Sequence, residues 1–232
     1  MNHLPHHLSG LNATGIQQDE PVAQYEIGPL KNFVYLLLDW KTRSAAIIDP
    51  QKDLSLIFKD LRAFDFRLTQ ILITHSHPDH TAGLAELIQR DSDIPIFTHT
   101  DDLHRFDSTL RRSGNFNVLQ DGAAIEVGTL RVEVIHTPGH SAGECCFLVK
   151  TEVLYLFTGD TLFIRDCGRT DLPTGSTSEM FSSLQKIKKL SANTVILPGH
   201  HYQAECATTL EQELVENPSL LCKSVTELAA LP

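Results

Sequence analysis

The segment from Thr74 to His80, with the sequence THSHPDH, constrains this chain more than any other feature. It places three histidines and one aspartate directly after the short β-rich run QILIT. Neutral imidazole and carboxylate are the usual ligands of Zn(II), and they also suit Fe and Mn. The alternate residues His75 and His77 can point to one site, while Asp79 and His80 reach a neighbouring site as the loop turns into a helix. We therefore predict a metal-binding loop at the end of a strand.

Three further residues with metal-binding side chains follow apolar, strand-like runs at glycine-marked turns. His140 lies in HTPGH after LRVEVI, Asp160 lies in FTGDT after VLYLF, and His200 lies in LPGH after TVI. A strand that ends in this way delivers a polar side chain to the rim of a sheet, where loops build active sites. Each signal alone is weak, since Gly-Asp after a strand is a common turn. Together with the first segment they supply enough ligands for two metal ions that share one carboxylate.

Both halves of the chain combine strand-like runs with segments of helical spacing. Strand–strand–helix units in each half predict an α+β fold in which two sheets pack face to face with helices outside, a four-layer αββα sandwich. The segment from about 100 to 120, rich in Asp, Arg and Ser, is expected to be irregular. The tail from Glu205 onward is expected to be helical, with a break at Asn217-Pro218.

The composition of the N-terminal residues and of the connection between the halves predicts how the chain divides into a leader and a domain. No proline-rich or low-complexity linker separates the halves, so we expect a single domain over residues 21–232. Residues 1–20 are expected to form an irregular leader, and their histidines, His3, His6 and His7, are assigned to it rather than to a metal site.

Composition narrows the partners and the compartment. The chain is 41% hydrophobic and 21% charged, as in ordinary globular proteins. A net charge of −10 argues against nucleic acid or an anionic membrane surface as the main partner, and no apolar run is long enough to cross a bilayer. The five cysteines are odd in number and lack CxxC spacing, which indicates reduced thiols. We expect a cytoplasmic protein that acts on a small molecule, and the sequence allows a homodimer.

The motifs quoted above resemble those of the metallo-β-lactamase superfamily. HSHPDH, HTPGH, GDT and the terminal GH occur in the order and with the spacing of that family, from about Tyr25 onward. The resemblance implies the metallo-β-lactamase fold and two divalent metal ions, Zn, Fe or Mn, with zinc favoured. It assigns the ligands as follows: His75, His77 and His140 to the first metal, Asp79, His80 and His200 to the second, and Asp160 as the bridge between them. It also implies that Asp49 supports the site from behind the ligands, although an aspartate that merely ends a strand before Pro50 would fit as well.

The segment Gly159–Ser176, GDTLFIRDCGRTDLPTGS, resembles one branch of the superfamily. That branch is linked to glutathione and contains glyoxalase II (hydroxyacylglutathione hydrolase) and the persulfide dioxygenases. The resemblance implies that this loop helps to hold a glutathione conjugate. Arg169 is the natural partner for a glutathione carboxylate, because its planar guanidinium can bind that group through two hydrogen bonds. A surface arginine paired with Asp166 or Asp171 is the alternative.

The favoured hypothesis for the reaction is hydrolysis of a glutathione-type thioester. Hydroxide generated at two metal ions would attack the thioester carbonyl. Asp79 would be the catalytic residue that orients this hydroxide as well as a metal ligand. The sequence HSHPDHTAG is closer to the hydrolases, since persulfide dioxygenases usually have Ala where Pro78 stands. Glu144 departs from glyoxalase II, which tends to place His there, so another hydrolase of the superfamily remains open.

The alternative is a persulfide dioxygenase that acts on glutathione persulfide. The resemblance then implies a single Fe(II) held by His75, His140 and Asp160, a set of two histidines and one carboxylate with open positions for dioxygen and sulfur. The remaining ligands would tune this iron from behind. CGRTD and the later stretch TTLEQELVENPSL look closer to the dioxygenases.

Overall fold

The computed structural model describes residues 15–231. The first half of the chain builds a six-stranded sheet whose strands lie in sequence order. Its elements are β1 (Val22–Ile27), β2 (Asn32–Asp39), β3 (Ser44–Ile48), α1 (Ser55–Ala63), β4 (Arg67–Leu72), α2 (Pro78–Thr81), α3 (Leu84–Arg90), β5 (Pro95–His99), α4 (Thr100–Leu103), α5 (Ser108–Ser113) and β6 (Asn115–Leu119). Strands β1 to β3 pair antiparallel, and β3 to β6 pair parallel.

The second half builds another six-stranded sheet and a two-stranded ribbon. Its elements are β7 (Ala124–Val127), β8 (Leu130–His136), β9 (Cys145–Lys150), β10 (Leu154–Gly159), β11 (Leu162–Phe163), β12 (Asp166–Cys167), α6 (Thr177–Ile187), β13 (Val195–Pro198), β14 (Thr208–Thr209), α7 (Leu210–Glu216), α8 (Pro218–Leu221) and α9 (Val225–Ala229). The sheet order is β14-β13-β10-β9-β8-β7, and β11 pairs with β12 as the ribbon. The neighbours β10 and β13 are parallel, whereas β7, β8, β9 and β10 pair antiparallel in turn.

Strand β2 shows how the layers form, because all eight of its residues are buried. Successive side chains point to opposite faces of a strand, so they must enter two different cores. Phe33 and Tyr35 pack in the cluster between the two sheets, together with Phe157 of β10. Val34 and Leu36 pack in a second cluster, which also contains residues of α1 and α3. A strand that is apolar on both faces therefore lies between a helical layer and the other sheet.

A third cluster completes the sandwich on the far side. Leu148 and Leu156 of the second sheet pack there against Met180 and Leu184 of α6. The order of layers is helices, sheet, sheet, helices, and the predicted αββα fold is confirmed. None of the helices within residues 15–231 is long and apolar enough to span a membrane.

The structure bears on two further expectations, one about residues 100–120 and one about the N-terminal leader. The expectation of an irregular segment over residues 100–120 is wrong, because this range contains α4, α5 and the strand β6. The polar side chains of Asn115 and Asn117 on β6 hide the strand in the sequence, because β6 lies at the edge of its sheet. His3, His6 and His7 lie outside the described residues. Ile16, inside the expected leader, is buried in the same cluster as residues of α1. The division into a leader over residues 1–20 and a single domain over residues 21–232 stays a prediction.

The topology brings the ends of several strands to one rim. Strands β3 and β4 are parallel, and β8, β10 and β13 run in a common direction in the second sheet. Their carboxyl ends precede Asp49, the loop of His75, His140, Asp160 and His200 respectively. The two sheets are tied together at this rim, since the amide of Phe33 donates to the carbonyl of Gly199 at 2.8 Å.

Candidate metal centre

The seven side chains predicted as metal ligands converge at the rim between the sheets. Six of them fall into two groups in which nitrogen and oxygen atoms lie within 4.8 Å of one another. We call them the first ligand group (His75, His77 and His140) and the second ligand group (Asp79, His80 and His200). The structure thus brings together residues from three separate strand ends and one helix start.

The first ligand group has its imidazole rings nearly perpendicular to one another. The ring of His140 makes angles of 84° with His75 and 89° with His77, at centroid distances of 5.0 and 4.6 Å. The Nε2 atom of His140 lies 2.9 Å from Nδ1 of His77. The inward nitrogen atoms therefore point at a common volume, as ligands of one ion do.

The second ligand group forms where α2 begins. Nε2 of His80 lies 3.1 Å from Nε2 of His200. The Oδ2 atom of Asp79 lies 3.5 Å from the first of these nitrogens and 3.4 Å from the second. Pro78 at the start of α2 and the turn that follows bring Asp79 and His80, adjacent in the chain, to the same side of the loop.

Asp160 lies between the two ligand groups. Its Oδ2 atom is 3.4 Å from Nε2 of His140 in the first group and 3.4 Å from Nε2 of His200 in the second. Its Oδ1 atom is 3.3 Å from Nε2 of His80. Gly199 leaves room for this carboxylate, because a Cβ at that position would clash with Asp160 Oδ1.

The donor set fits divalent metal ions. Nε2 of His75 and Oδ1 of Asp160 are buried, and neither has a hydrogen-bond partner among residues 15–231. Buried polar atoms without partners are rare in folded proteins, and a bound ion is one of the standard explanations. Close approach of two imidazole nitrogens, such as those of His80 and His200, likewise needs a cation or a shared proton between them.

The protein holds the outward nitrogens of His140, His200 and His80. Nδ1 of His140 lies 2.8 Å from the carbonyl oxygen of Arg169, and Nδ1 of His200 lies 2.9 Å from that of Leu30. Nδ1 of His80 lies 3.0 Å from Oδ2 of Asp49. Such contacts fix the tautomer and orientation of a ligating histidine, leaving Nε2 for the metal.

Asp49 has the supporting position that the resemblance implied. Its Oδ1 atom accepts from the amide of Thr74 at 2.8 Å, and its Oδ2 atom accepts from the hydroxyl of Thr74 at 2.6 Å. Its backbone has a φ of 51°, in the left-handed region that a non-glycine residue seldom adopts. One carboxylate therefore ties β3 to the start of the ligand loop and to His80.

Two buried residues at the site were not found from the sequence. The side-chain nitrogen Nδ2 of Asn32 donates to Oδ2 of Asp79 at 2.8 Å. Glu144, which the sequence marked only as a departure from glyoxalase II, accepts from the amide of Asp160 at 2.9 Å and lies 3.4 Å from Nδ1 of His75. An asparagine at the start of a strand and a glutamate before an apolar run carry no local signal for these contacts.

The charges around the site favour a cation. Burial and the neighbouring rings of His80 and His140 lower the pKa of His75 well below its usual range, which keeps that ring neutral. Burial opposes ionisation of Asp79, but the hydrogen bond to His200 and the charge of His80 outweigh it and lower the pKa of Asp79. Burial alone would lower the pKa of His200, yet the hydrogen bonds to Asp160 and Asp79 raise it to about 10. A metal ion that binds here would displace the proton that His200 holds.

Arg169 lies beside the site without entering it. Its guanidinium makes two hydrogen bonds to Asp171, at 2.6 and 2.7 Å, and both side chains are exposed. Its loop lines a cavity of about 600 Å³ that also touches Cys167, Ser219 and Leu228. A Cβ on Gly168 would clash with the carbonyl oxygen of Asp160, so the loop that carries Arg169 packs directly against the backbone of Asp160.

An aromatic wall borders the second ligand group. Tyr202 is 55% exposed, and its ring stacks on that of His200 at a centroid distance of 4.8 Å and an angle of 9°. Phe163 packs edge-on against Tyr202 at 5.2 Å. Burial, together with the charges of Asp160 and Asp79, raises the pKa of Tyr202 to about 12. The wall therefore presents an apolar face with a neutral hydroxyl next to the site.

A separate group of histidines lies away from this centre. His99, Asp101 and His136 also have potential ligand atoms within 4.8 Å of one another. The rings of His99 and His136 stack at 3.9 Å with an angle of 9°, so their in-plane lone pairs run parallel and do not converge. Nε2 of His136 lies 2.8 Å from the carbonyl oxygen of Ala142, which already uses one of its nitrogens.

Comparison with known proteins decides the family. A family model described as the metallo-beta-lactamase superfamily matches residues 27–200. The chain belongs to the metallo-beta-lactamase superfamily. The match spans the strands that precede the predicted ligands and ends on His200, so the resemblance stated from the motifs is confirmed.

Curated relatives of this superfamily member have several different names. BaeB of Bacillus velezensis, a probable polyketide biosynthesis zinc-dependent hydrolase, is 34% identical over 203 residues, covering 83% of this chain and 86% of that protein. A probable hydroxyacylglutathione hydrolase of Schizosaccharomyces pombe is 35% identical over 181 residues, covering 76% and 66%. The mitochondrial persulfide dioxygenase ETHE1 of Bos taurus is 32% identical over 197 residues, covering 81% and 71%. The expected branch, with glutathione hydrolases and persulfide dioxygenases, is thus confirmed.

Solved structures agree with this placement. The crystal structure of ETHE1 from Myxococcus xanthus has a TM-score of 0.73 and 28% identity, covering 91% of this chain and 92% of that one. TTHA1623, solved in a di-iron-bound form, has a TM-score of 0.72 and 28% identity, covering 84% and 98%. Relatives of this chain are therefore described both as zinc-dependent and as iron-bound.

Proposed function

We propose that this protein is a metal-dependent hydrolase of glutathione-type thioesters, with two divalent metal ions at the rim between its sheets. The observation that carries the proposal is the second ligand group, complete and facing Asp160, beside a complete first group. A site for a single ion would not need inward-facing nitrogens on both His80 and His200. Relatives named as hydroxyacylglutathione hydrolase and as zinc-dependent hydrolase support the same reaction class.

The proposed ligands follow the geometry of the two groups. His75, His77 and His140 would hold one ion, Asp79, His80 and His200 would hold the other, and Asp160 would contact both. Divalent ions bound there would supply Lewis acidity and lower the pKa of water toward neutrality, with zinc favoured. The described side chains offer neither a serine nor a cysteine within these groups, so water is the proposed nucleophile.

The chain's own residues orient the reactants. Asp79 is 24% exposed in its side chain and is the most open of the ligand carboxylates. The hydrogen bond from Asn32 fixes one of its oxygens, and the other can accept a hydrogen bond from the attacking water. The aromatic wall of Phe163 and Tyr202 can cover the acyl side of the thioester and exclude bulk water.

Arg169 remains the proposed contact for the glutathione part of the substrate. The cavity of about 600 Å³ beside its loop has the size of a small-molecule site and is lined by hydroxyl, carboxylate and guanidinium groups. Asp171 holds the guanidinium in place, and a substrate carboxylate would compete with it. The cytoplasm, the absence of nucleic-acid and membrane partners and a homodimeric state stay predictions of the sequence.

Persulfide oxidation is the second candidate, and a specific observation favours it. A persulfide dioxygenase is 32% identical to this chain over 197 residues. Under that hypothesis one Fe(II) would be held by His75, His140 and Asp160, and Glu144 and the second ligand group would surround it. The two hypotheses share the ligand set and differ in metal and substrate.

The test separates the substrates with one protein preparation. Protein purified without oxygen is divided and loaded with zinc, manganese or iron, and each sample is offered a glutathione thioester and glutathione persulfide. We expect thioester cleavage, followed as free thiol, and no oxygen uptake above the blank with the persulfide. The same acyl group on a cysteamine carrier is the matched control for the glutathione part. Oxygen uptake with iron-loaded protein, without thioester cleavage at any metal loading, would overturn the proposal.

A further inference from the structure

The buried carboxylate of Asp102 joins two loops that carry metal ligands. Asp102 lies in α4, directly after β5, and is 0% exposed. It lies 22 residues after His80 and 38 residues before His140, the nearest proposed ligands in the chain, and in a segment expected to be irregular. Its surroundings connect the first sheet to the second.

The hydrogen bonds of Asp102 reach both loops. Oδ2 accepts from the amide of Ser76 at 2.7 Å, and Ser76 stands between the ligands His75 and His77. The same oxygen accepts from the hydroxyl of Ser141 at 3.1 Å, the residue after His140. Oδ1 accepts from the amide of Gly143 at 3.0 Å. One side chain therefore touches the neighbours of all three members of the first ligand group.

Gly143 shows that this contact is built into the packing. A Cβ on Gly143 would meet the Cβ of Asp102 at 2.6 Å and its backbone nitrogen at 2.7 Å. Only a glycine allows the loop after His140 to approach α4 so closely. Three donors from the two loops converge on the same buried carboxyl group, so their positions relative to α4 are fixed together.

We propose that Asp102 is a positioning residue that fixes the first ligand group before a metal binds. It sets the distance between the loop of His75 and His77 and the loop of His140, which come from different sheets. Metal affinity at a preformed site depends on such outer contacts, because the ligands need not be ordered by the metal itself. The inference rests on the metal-binding part of the proposed function and not on the thioester reaction.

The second ligand group has different supports. His80 is held by Asp49, His200 by the carbonyl of Leu30, and Asp79 by Asn32. None of these contacts involves Asp102, so the two proposed metal positions depend on different supporting side chains. Loss of Asp102 should weaken the first group and leave the second nearly unchanged.

The variant for the test is Asp102→Asn, which keeps the shape and places an NH₂ group against an N–H or O–H donor. The matched control is Asp101→Asn, whose side chain is 54% exposed on the same short helix. Zinc affinity is measured by competition with a chromophoric chelator, and anomalous scattering at the zinc edge gives the occupancy of each position in crystals at limiting zinc. We expect one of the two affinities to fall by about 10–100-fold in Asp102→Asn, with the loss at the first ligand group. The control should keep both affinities.

A milder variant and a second readout keep the proposal testable if Asp102→Asn folds poorly. Ser141→Ala removes one of the three hydrogen bonds, and it should lower zinc affinity at the first group by less than Asp102→Asn does. In the metal-free protein, hydrogen exchange at the amides of Ser76 and Gly143 should be faster in Asp102→Asn than in the control. Equal loss at both positions, or unchanged affinity with unchanged exchange, would overturn the assignment. Zinc binding needs no substrate, so a failed thioester assay leaves this test intact.

Discussion

At the scale of single residues, the site combines side chains that face the proposed metal positions with buried polar side chains that hold them in place. His75, His77 and His140 lie in motifs with several polar residues close together, and their approach in space follows from the motif and the strand before it. Asn32 and Asp102 are single polar residues in ordinary segments, and their importance comes only from what folds onto them. A local pattern can predict ligands, but it cannot predict contacts made across two sheets.

Substitution of Arg169 tests the proposed contact between the protein and the glutathione part of the substrate. Removing the guanidinium with Arg169→Ala should raise KM for a glutathione thioester by about 10-fold, with little change in kcat, because a contact remote from the reacting carbonyl stabilises the bound substrate and the transition state alike. Steady-state kinetics measures both constants. Arg131→Ala is the matched control, because Arg131 is an exposed arginine paired with Glu126 on the second sheet. An unchanged KM in Arg169→Ala would remove this residue from the substrate site.

At the scale of elements, most strands and helices follow their hydrophobic pattern, and the exceptions have physical causes. Asp53 precedes α1, which begins at Ser55, and its φ of 75° places it outside the helix. Its carboxylate still accepts from the hydroxyl of Ser55 at 2.6 Å. The break expected at Asn217-Pro218 is confirmed, since α7 ends at Glu216 and α8 begins at Pro218.

Asn217, at this break, also holds the segment that leads to the loop of Arg169. Asn217 is fully buried and accepts from the amide of Ser219 at 2.9 Å as the N-cap of α8. Its side-chain nitrogen donates to the carbonyls of Phe163 and Asp166 at 3.2 and 3.0 Å, at the ribbon of β11 and β12. The C-terminal helices are therefore fastened to the segment that carries Arg169.

The element-scale prediction concerns Asn217→Ala. The variant loses an N-cap and leaves buried carbonyls without donors, so the free energy of unfolding should fall by about 2–4 kcal/mol. Urea unfolding of the metal-free protein measures this change. Asn193→Ala removes one exposed contact with Ser191 and should alter stability by less than about 0.5 kcal/mol. If the two variants are equally stable, the fastening by Asn217 is refuted.

At the scale of the whole molecule, the fold places the proposed ligands on both sheets. The loop of His75 to His80 follows β4 in the first sheet, and His140, Asp160 and His200 follow strands of the second. The αββα arrangement could be predicted because strand–strand–helix units repeat in both halves. The pairing of Phe33 with Gly199 across the sheets could not, since nothing in either segment indicates the other.

Metal ions held by both sheets should act as a link between the halves. Removing them with a chelator should lower Tm by about 5–10 °C, because a ligand at 100 times its Kd adds close to 3 kcal/mol of stability in a domain of this size. Calorimetry with and without chelator measures the shift, and added zinc should restore Tm. In His75→Ala with His200→Ala, the same chelator should shift Tm by less than about 2 °C. A wild-type Tm that ignores the chelator would contradict this link.

Under the proposed function, two ions held by the two ligand groups around Asp160 promote hydrolysis of a thioester. The most direct test adds zinc stepwise to metal-free protein and follows glutathione thioester cleavage against the number of equivalents bound, with Asp160→Ala as the inactive control. We predict that cleavage rises until two equivalents are bound and then stays constant, and that Asp160→Ala shows no rise. Full activity at one equivalent, or activity only as oxygen uptake with one bound iron and a persulfide, would contradict the account.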